Sequence, residues 1–325
     1  MKCRVCREPA VIDIRRHNAN FCVDHFLRLC RDQTAKAIED FDMLNPGDRV
    51  LVAVSGGKDS LALWDLLREL GYEAHGLYIG LGIGGYSDRS GEMVRSFAHD
   101  RGLTLHQIDL REEYGTDVPT AAKATRRVPC SACGLSKRHL FDRAAVDGGF
   151  DAVATGHNLD DEAAVLFGNT LRWQTEYLAR QMPVLEARAG FPKKVKPLIR
   201  LGEREMAAYC VLRGIDYIVE ECPMAEGNKH LGYKEALNDI EARSPGSKHD
   251  FYFGFLARAS GRFADAAPAP LEQGSPLGEG DHDGALGRCD RCGSPSTSEV
   301  CAFCRLIERS AGAQPVTLTR KGRPL

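Results

Sequence analysis

At 325 residues the chain is long enough for one large domain with appendages or for two modest domains, and its core is ample. With 43 Lys and Arg against 45 Asp and Glu, the net charge of −2 excludes a chain-wide electrostatic footprint for nucleic acid, so any RNA contact must rest on local patches. No stretch approaches the roughly 18 apolar residues of a membrane span, and the opening Met1-Lys-Cys-Arg-Val-Cys-Arg-Glu-Pro9 has no apolar leader core, so a cytoplasmic protein without membrane contact is expected. Twelve cysteines in a reducing compartment point to metal binding or chemistry, and their spacing separates the two.

Taken in chain order, Cys3-x-x-Cys6 and Cys22-x-x-His25 form two close pairs around a short apolar segment. This is the layout of a tetrahedral zinc site, with His17 and Cys30 as substitute ligands, and it defines a first module at residues 1–32. Residues 34–43 read as a helix, which Pro46-Gly47 breaks before an apolar strand at 49–54. That strand empties through Ser55-Gly56-Gly57-Lys58-Asp59-Ser60 into an amphipathic helix at 61–70. Small residues admit an anion close to the backbone, and the new helix aims its unpaired N–H groups at it. The Walker A spacing is absent; the motif resembles the PP-loop of ATP pyrophosphatases, which implies adenylation rather than phosphoryl transfer.

Further strands are predicted at 73–79, 104–110, 151–154 and 216–219, and further helices at 89–101, 136–146, 160–171 and 203–213. Such alternation predicts an α/β fold, a doubly wound parallel sheet binding ligands at the strand C-terminal ends, as a catalytic domain over 33–262. Gly80-Leu-Gly-Ile-Gly-Gly85 lacks dinucleotide-loop spacing and reads as a loop beside ATP. Cys130-Ser-Ala-Cys133 follows the basic stretch 123–127, and its one plausible partner is Cys222. Three thiolates make an incomplete shell, which leaves open an iron–sulfur cluster with one free iron, a redox pair with Cys222 as persulfide carrier, or a third zinc site. Cys210 reads as a buried apolar thiol. Gly156-His-Asn-Leu-Asp-Asp-Glu162 brings carboxylates to a helix start, where they serve as caps or hold magnesium. Residues 263–287 read as a flexible linker, and Cys289-x-x-Cys292 with Cys301-x-x-Cys304 as a four-thiolate zinc ribbon over 288–310, with Gly293 at its knuckle; a polar tail fills 311–325.

Together these motifs resemble the TtuA-type tRNA 2-thiouridine synthetases over nearly the whole chain, in order and separation. The resemblance implies that Cys130, Cys133 and Cys222 hold a [4Fe-4S] cluster whose fourth iron carries sulfur. It implies that Ser55, Gly57, Asp59 and Ser60 bind the ATP phosphates, that the backbone around Ala53 and Ile79 holds adenine and ribose, and that Gly156 lines the nucleotide site. Lys137 and Asp161 match catalytic positions, the lysine near the phosphates or the uridine and the aspartate near Mg2+. The implied partners are tRNA, a ubiquitin-like thiocarboxylated sulfur donor and a second copy of the chain. Candidate RNA contacts are Lys123, Arg126, Arg127, Arg172, Arg180, Lys193, Lys194, Lys196 and Arg200, with 192–196 the densest cluster. The expected reaction is 2-thiolation of a tRNA uridine at the T-loop ribothymidine, with wobble-uridine thiolation by the same chemistry as the alternative. The competing readings are a non-catalytic zinc-dependent RNA-binding protein, which the intact PP-loop opposes, and a PP-loop synthetase acting on a small molecule, which the cysteine modules oppose.

Overall fold

The computed structural model describes residues 1–225, 229–266 and 286–316. The chain opens with β1 (Ile12–Ile14), β2 (Ala19–Phe21), α1 (Val23–Asp40), β3 (Arg49–Val54), α2 (Lys58–Glu69), β4 (Glu73–Gly80) and α3 (Gly84–Asp100). It continues with β5 (Leu105–Asp109), α4 (Leu110–Tyr114), α5 (Val118–Thr125), α6 (Pro129–Asp147), β6 (Ala152–Thr155), α7 (Leu159–Leu171) and α8 (Thr175–Leu178). Then come β7 (Val184–Leu185), β8 (Lys193–Val195), α9 (Glu203–Leu212), α10 (Lys229–Arg243), α11 (Ser247–Arg258), β9 (Gly287–Arg288), β10 (Pro295–Ser296) and α12 (Ala302–Ser310).

Among the described residues the principal sheet has six strands in the order β5-β4-β3-β6-β8-β7, all parallel except β7, which runs antiparallel to β8. Alternation along β3 feeds two cores. Val50, Val52 and Val54 pack with α1, α2 and α9, while Leu51 turns to the other face with α5, α6 and α12. Helices therefore cover both faces, the expected doubly wound α/β architecture.

The predicted strand at 216–219 does not form. Val219 is 81% exposed, and Ile218 N–H donates to the Gly56 carbonyl at 2.9 Å, so the segment is tied to the PP-loop without a ladder. The sheet is completed by β8 and β7, whose short, partly charged sequences carry little strand signal. The helix predicted from 34 starts at Val23, with Cys22 at its N-cap, so it is continuous across residue 32. The helix predicted from 136 starts at Pro129, since proline suits a first turn, and this puts Cys130 and Cys133 on the helix itself. Gly84 and Gly85, read as loop, open α3. Most of the proposed linker at 263–287 and of the tail at 311–325 lies outside the described residues.

Gly76 on β4 faces the ring of buried Trp64, whose indole N–H donates to Ala74 O at 2.9 Å. A Cβ at Gly76 would lie 2.4 Å from Trp64 Cη2. Gly76→Ala is therefore expected to destabilise the protein by about 2 kcal/mol, read as a lower midpoint in urea unfolding.

Candidate functional site

The PP-loop turns sharply at Gly56, whose φ of +79 is in the left-handed region, and a Cβ there would lie 2.7 Å from Ser90 O. Gly57 caps α2 but has no side chain to satisfy the first N–H groups of the helix, so they remain available to an anion. Ser60 braces the loop: its hydroxyl donates to Gly57 O at 3.0 Å and accepts from Ser55 N–H at 3.1 Å. Ala53 and Ile79 lie near the C-terminal ends of the paired strands β3 and β4, beside this turn.

The β6–α7 turn lies directly on α2. A Cβ at Gly156 would stand 2.9 Å from both Asp59 C and Ser60 N. Asn158 caps α7, accepting from Asp160 N–H at 2.9 Å and Asp161 N–H at 3.1 Å, and its amide donates to Asp59 Oδ1 at 3.0 Å. Asp161 completes the capping box by accepting from Asn158 N–H at 3.1 Å. Its other oxygen receives Lys234 Nζ at 2.6 Å. Lys234 also reaches Glu203 at 3.3 Å, Glu203 receives Lys58 at 2.7 Å, and Lys58 lies 3.3 Å from Asp59. Opposite charges thus alternate from Asp161 through Lys234, Glu203 and Lys58 to Asp59. Burial pushes the Asp59 carboxyl up against the pull of Lys58. Burial also disfavours the charged Lys234, but Asp161 and Glu203 outweigh it and raise its pKa.

Cys130 and Cys133 stand on the first turn of α6, and Cys130 Sγ donates to Met224 O at 3.4 Å, so the helix start meets the segment carrying Cys222. Cys222 lies four positions beyond Ile218, which is bonded to the PP-loop, so at most about 14 Å of chain joins the two sites. Burial raises the Cys222 thiol, Cys133 adds to this, and Lys137 opposes it; Cys130 is raised by burial and by Cys133, again against Lys137. Lys137 therefore faces the thiols from the next turn of α6. Burial, reinforced by Cys222, pushes the Tyr86 hydroxyl at the start of α3 up to about 12. One zinc ion would hold thiolates at about 3.8 Å. The three sulfurs do not form such a tight group among the described residues.

Both terminal cysteine sets do form tight groups. Donor atoms of Cys3, Cys6, Cys22 and His25 lie within 4.8 Å of one another, as do those of Cys289, Cys292, Cys301 and Cys304. Sulfurs of Cys6 and Cys22 are 3.7 Å apart and those of Cys292 and Cys301 3.8 Å, the spacing of tetrahedral zinc. Burial opposes the Cys3 thiolate, but N–H groups of Cys6, Cys22 and Val5 hold its pKa down to about 6. His17 and Cys30 join neither group; Cys30 is fully buried in the core, which raises its thiol far above the usual range. Cys210 is the buried thiol expected, its pKa pushed up to about 12 by burial.

Four of the nine basic RNA candidates are committed within the fold. Lys193 donates to Asp42 O at 2.6 Å, Lys194 pairs with Asp142 at 2.7 Å, Lys196 with Glu162 at 2.8 Å, and Arg200 with Asp40. The cluster at 192–196 is thus structural. Lys123, Arg126 and Arg127 stay exposed beside Cys130, unpaired among the described residues. Sequence reading passed over Asn158, Glu203 and Lys234; the Asn-x-x-Asp capping spacing could have found the first, whereas no local pattern joins 203 and 234 to residue 58.

Gly156→Ala should push α2 off the β6–α7 turn, lower the unfolding midpoint and weaken ATP binding at least tenfold in calorimetry. Lys234→Met leaves Asp161 and Glu203 uncompensated beside incoming phosphates, and about tenfold weaker ATP binding, or about 1.4 kcal/mol, is expected by the same measurement.

Residues 2–27 match the family described as 2-thiouridine synthetase TtuA, N-terminal LIM domain, and residues 28–226 match the PP-loop domain. A relative in Thermus thermophilus named tRNA-5-methyluridine(54) 2-sulfurtransferase is 52% identical over 306 residues, 94% of this chain and 91% of its own. One of the same name in Pyrococcus horikoshii is 40% identical over 94% of this chain and 93% of its own. The solved U34-tRNA thiolase NcsA from Methanococcus maripaludis with its [4Fe-4S] cluster superposes with a TM-score of 0.73 at 25% identity, covering 86% of this chain and 94% of that one. With the PP-loop match over more than half of the chain, the TtuA module at its start and a 52% identical 2-sulfurtransferase that covers 94% of it, the chain belongs to the TtuA family of PP-loop tRNA 2-thiolation enzymes.

Proposed function

We propose that this chain is an ATP-dependent tRNA sulfurtransferase that replaces the C2 oxygen of 5-methyluridine 54, the T-loop ribothymidine, with sulfur. The observation that carries the reading is the Ile218–Gly56 bond, which fixes the cysteine segment to the nucleotide loop so that one base can reach both. The C2 oxygen of the uridine attacks the α-phosphate of ATP; pyrophosphate leaves, and the base carries AMP on that oxygen. Sulfide then adds at C2 and the C2 oxygen departs with AMP, so the net change consumes ATP and sulfide and forms AMP, pyrophosphate and the thiolated base.

The first N–H groups of α2, with Ser55, Gly57, Asp59 and Ser60, would hold the phosphates, and the β3 and β4 ends at Ala53 and Ile79 the nucleoside. Asp59 and Asp161 would hold Mg2+ next to them, and Gly156 leaves the room. Cys130, Cys133 and Cys222 would hold a [4Fe-4S] cluster, which supplies an open iron for sulfide. Lys137, facing the thiols, would balance negative charge where sulfur and adenylated base meet. Each terminal module would carry one structural zinc on Cys3, Cys6, Cys22 and His25 or on Cys289, Cys292, Cys301 and Cys304. We assign the domains as 1–32, 33–262 and 288–310, place the protein in the cytoplasm as a homodimer, and take a ubiquitin-like thiocarboxylate as sulfur donor. The likeness to a U34 thiolase supports wobble-uridine thiolation as the second reading.

Protein purified anaerobically and incubated with ATP, Mg2+, sulfide and unmodified tRNA should thiolate the T-loop, as mass spectrometry of defined RNase fragments would locate. Thiolation confined to the wobble base would move the reading to position 34; no thiolation and no AMP from a sample with an intact cluster would overturn it. Cys222→Ala should abolish thiolation by at least a hundredfold while leaving ATP affinity unchanged. Metal analysis should find two zinc ions per chain, and one in Cys289→Ser.

A further inference from the structure

We propose that the exposed corner joining α7 to α8, formed by Arg172, Trp173, Tyr177 and Arg180, is a stacking contact for unpaired bases of the tRNA; this rests on the function proposed above. Of the two tryptophans in the chain, Trp64 is fully buried, whereas Trp173 is 71% exposed. Tyr177, one helical turn on, is 54% exposed. Trp173 sits at φ +49, a left-handed conformation that a bulky aromatic seldom adopts and that persists only where its surroundings enforce it.

Here they do enforce it. Gln174 N–H donates to Asn169 O at 3.0 Å, the buried Asn169 amide donates to Gln181 at 3.3 Å, and Gln181 donates to buried Glu162 at 3.0 Å. Leu178, 1% exposed, plugs α8 into the core. The indole is thus held out into solvent on a fixed base, an arrangement without use in packing and suited to receive a flat partner.

The chemistry around the rings selects RNA. Arg180 lies 5.4 Å from the Tyr177 ring centre, and Arg172 lies 5.7 Å from that of Tyr233 and donates to its hydroxyl at 2.8 Å. Neither guanidinium pairs with a carboxylate among the described residues, in contrast to the lysines of β8. Aromatic faces interleaved with guanidinium groups that neutral partners hold, through Gln174 and Tyr233 for Arg172 and the Glu176 carbonyl for Arg180, match splayed bases and their phosphates. A second copy fits poorly, because a two-fold contact would bring the Arg172 and Arg180 guanidinium groups of both copies together. From Asp161 to Leu171 the helix rises about 15 Å, so a nucleotide at this corner lies about four stacked steps from Asp161.

The test uses the whole protein and fluorescently labelled unmodified tRNA. Trp173→Ala should weaken tRNA binding about tenfold and raise the tRNA KM with kcat and ATP affinity unchanged, and Trp173→Phe should restore binding. Arg172→Met should lower the salt slope of tRNA binding by about one, while Trp173→Ala leaves it unchanged. Added tRNA should also shield Trp173 from acrylamide quenching. The proposal is overturned if Trp173→Ala binds tRNA like the wild type while thiolation proceeds, or if shielding follows protein concentration without RNA, which would mark a self-association surface. A wild-type protein that neither binds nor thiolates tRNA would remove the proposed function and this contact with it.

Discussion

At the C-terminal rim of the sheet two turns lie backbone against backbone, and the rest of the site is arranged around that approach. Gly156 has no room for a Cβ above Asp59 and Ser60, so β6 and β3 deliver their turns as one surface. Because the turns touch, Asn158 can cap its own helix and still donate to Asp59. Because Asp161 is fixed by that cap, Lys234 and Glu203 can close a row of alternating charges back to Lys58. The same rim receives Ile218, and with it the segment that bears Cys222. A compact nucleotide loop and the segment bearing Cys222 thus meet at one rim without sharing a residue.

The near-zero net charge conceals how the basic residues are used. Lys196 neutralises buried Glu162, Arg101 and Arg213 surround buried Asp65, and Lys194 holds Asp142 on the cysteine helix. Such groups are fixed by the desolvated acids they serve, since removing one partner of a buried pair costs about 3–5 kcal/mol. Of the nine basic candidates, those left for RNA are Lys123, Arg126 and Arg127 beside Cys130, and the two arginines at the α7–α8 corner. Recognition by a few separated contacts favours shape over bulk charge, as expected for a folded RNA.

Features built from neighbouring residues were legible in the sequence. The strand–glycine–helix PP-loop, the paired cysteine spacings and the alternation of β3 each follow from contacts within a few residues. The strand expected at 216–219 failed because Val219 meets solvent and the Ile218 amide meets Gly56, a partner about 160 positions away that no local pattern could reveal. Glu203 and Lys234 were hidden for the same reason: a surface-type glutamate and lysine gain meaning only when α9 and α10 fold over α2 and α7. The basic run at 192–196 misled in the opposite sense, since its density reflects buried acids on α6 and α7.

Helix α1 is N-capped by Cys22, carries His25 in its first turn, and buries Phe26, Cys30, Ala37 and Ile38 in the core shared with β3 and α2. A metal bound by Cys3, Cys6, Cys22 and His25 would therefore grip the end of a rod whose other end lies inside the main domain. Binding to the folded form alone raises stability by RT ln(1 + [L]/Kd), about 4 kcal/mol at a thousandfold excess over Kd. Thermodynamic linkage then makes the supply of that ion in the cell a determinant of how much of the whole chain stays folded, and not only of its first module.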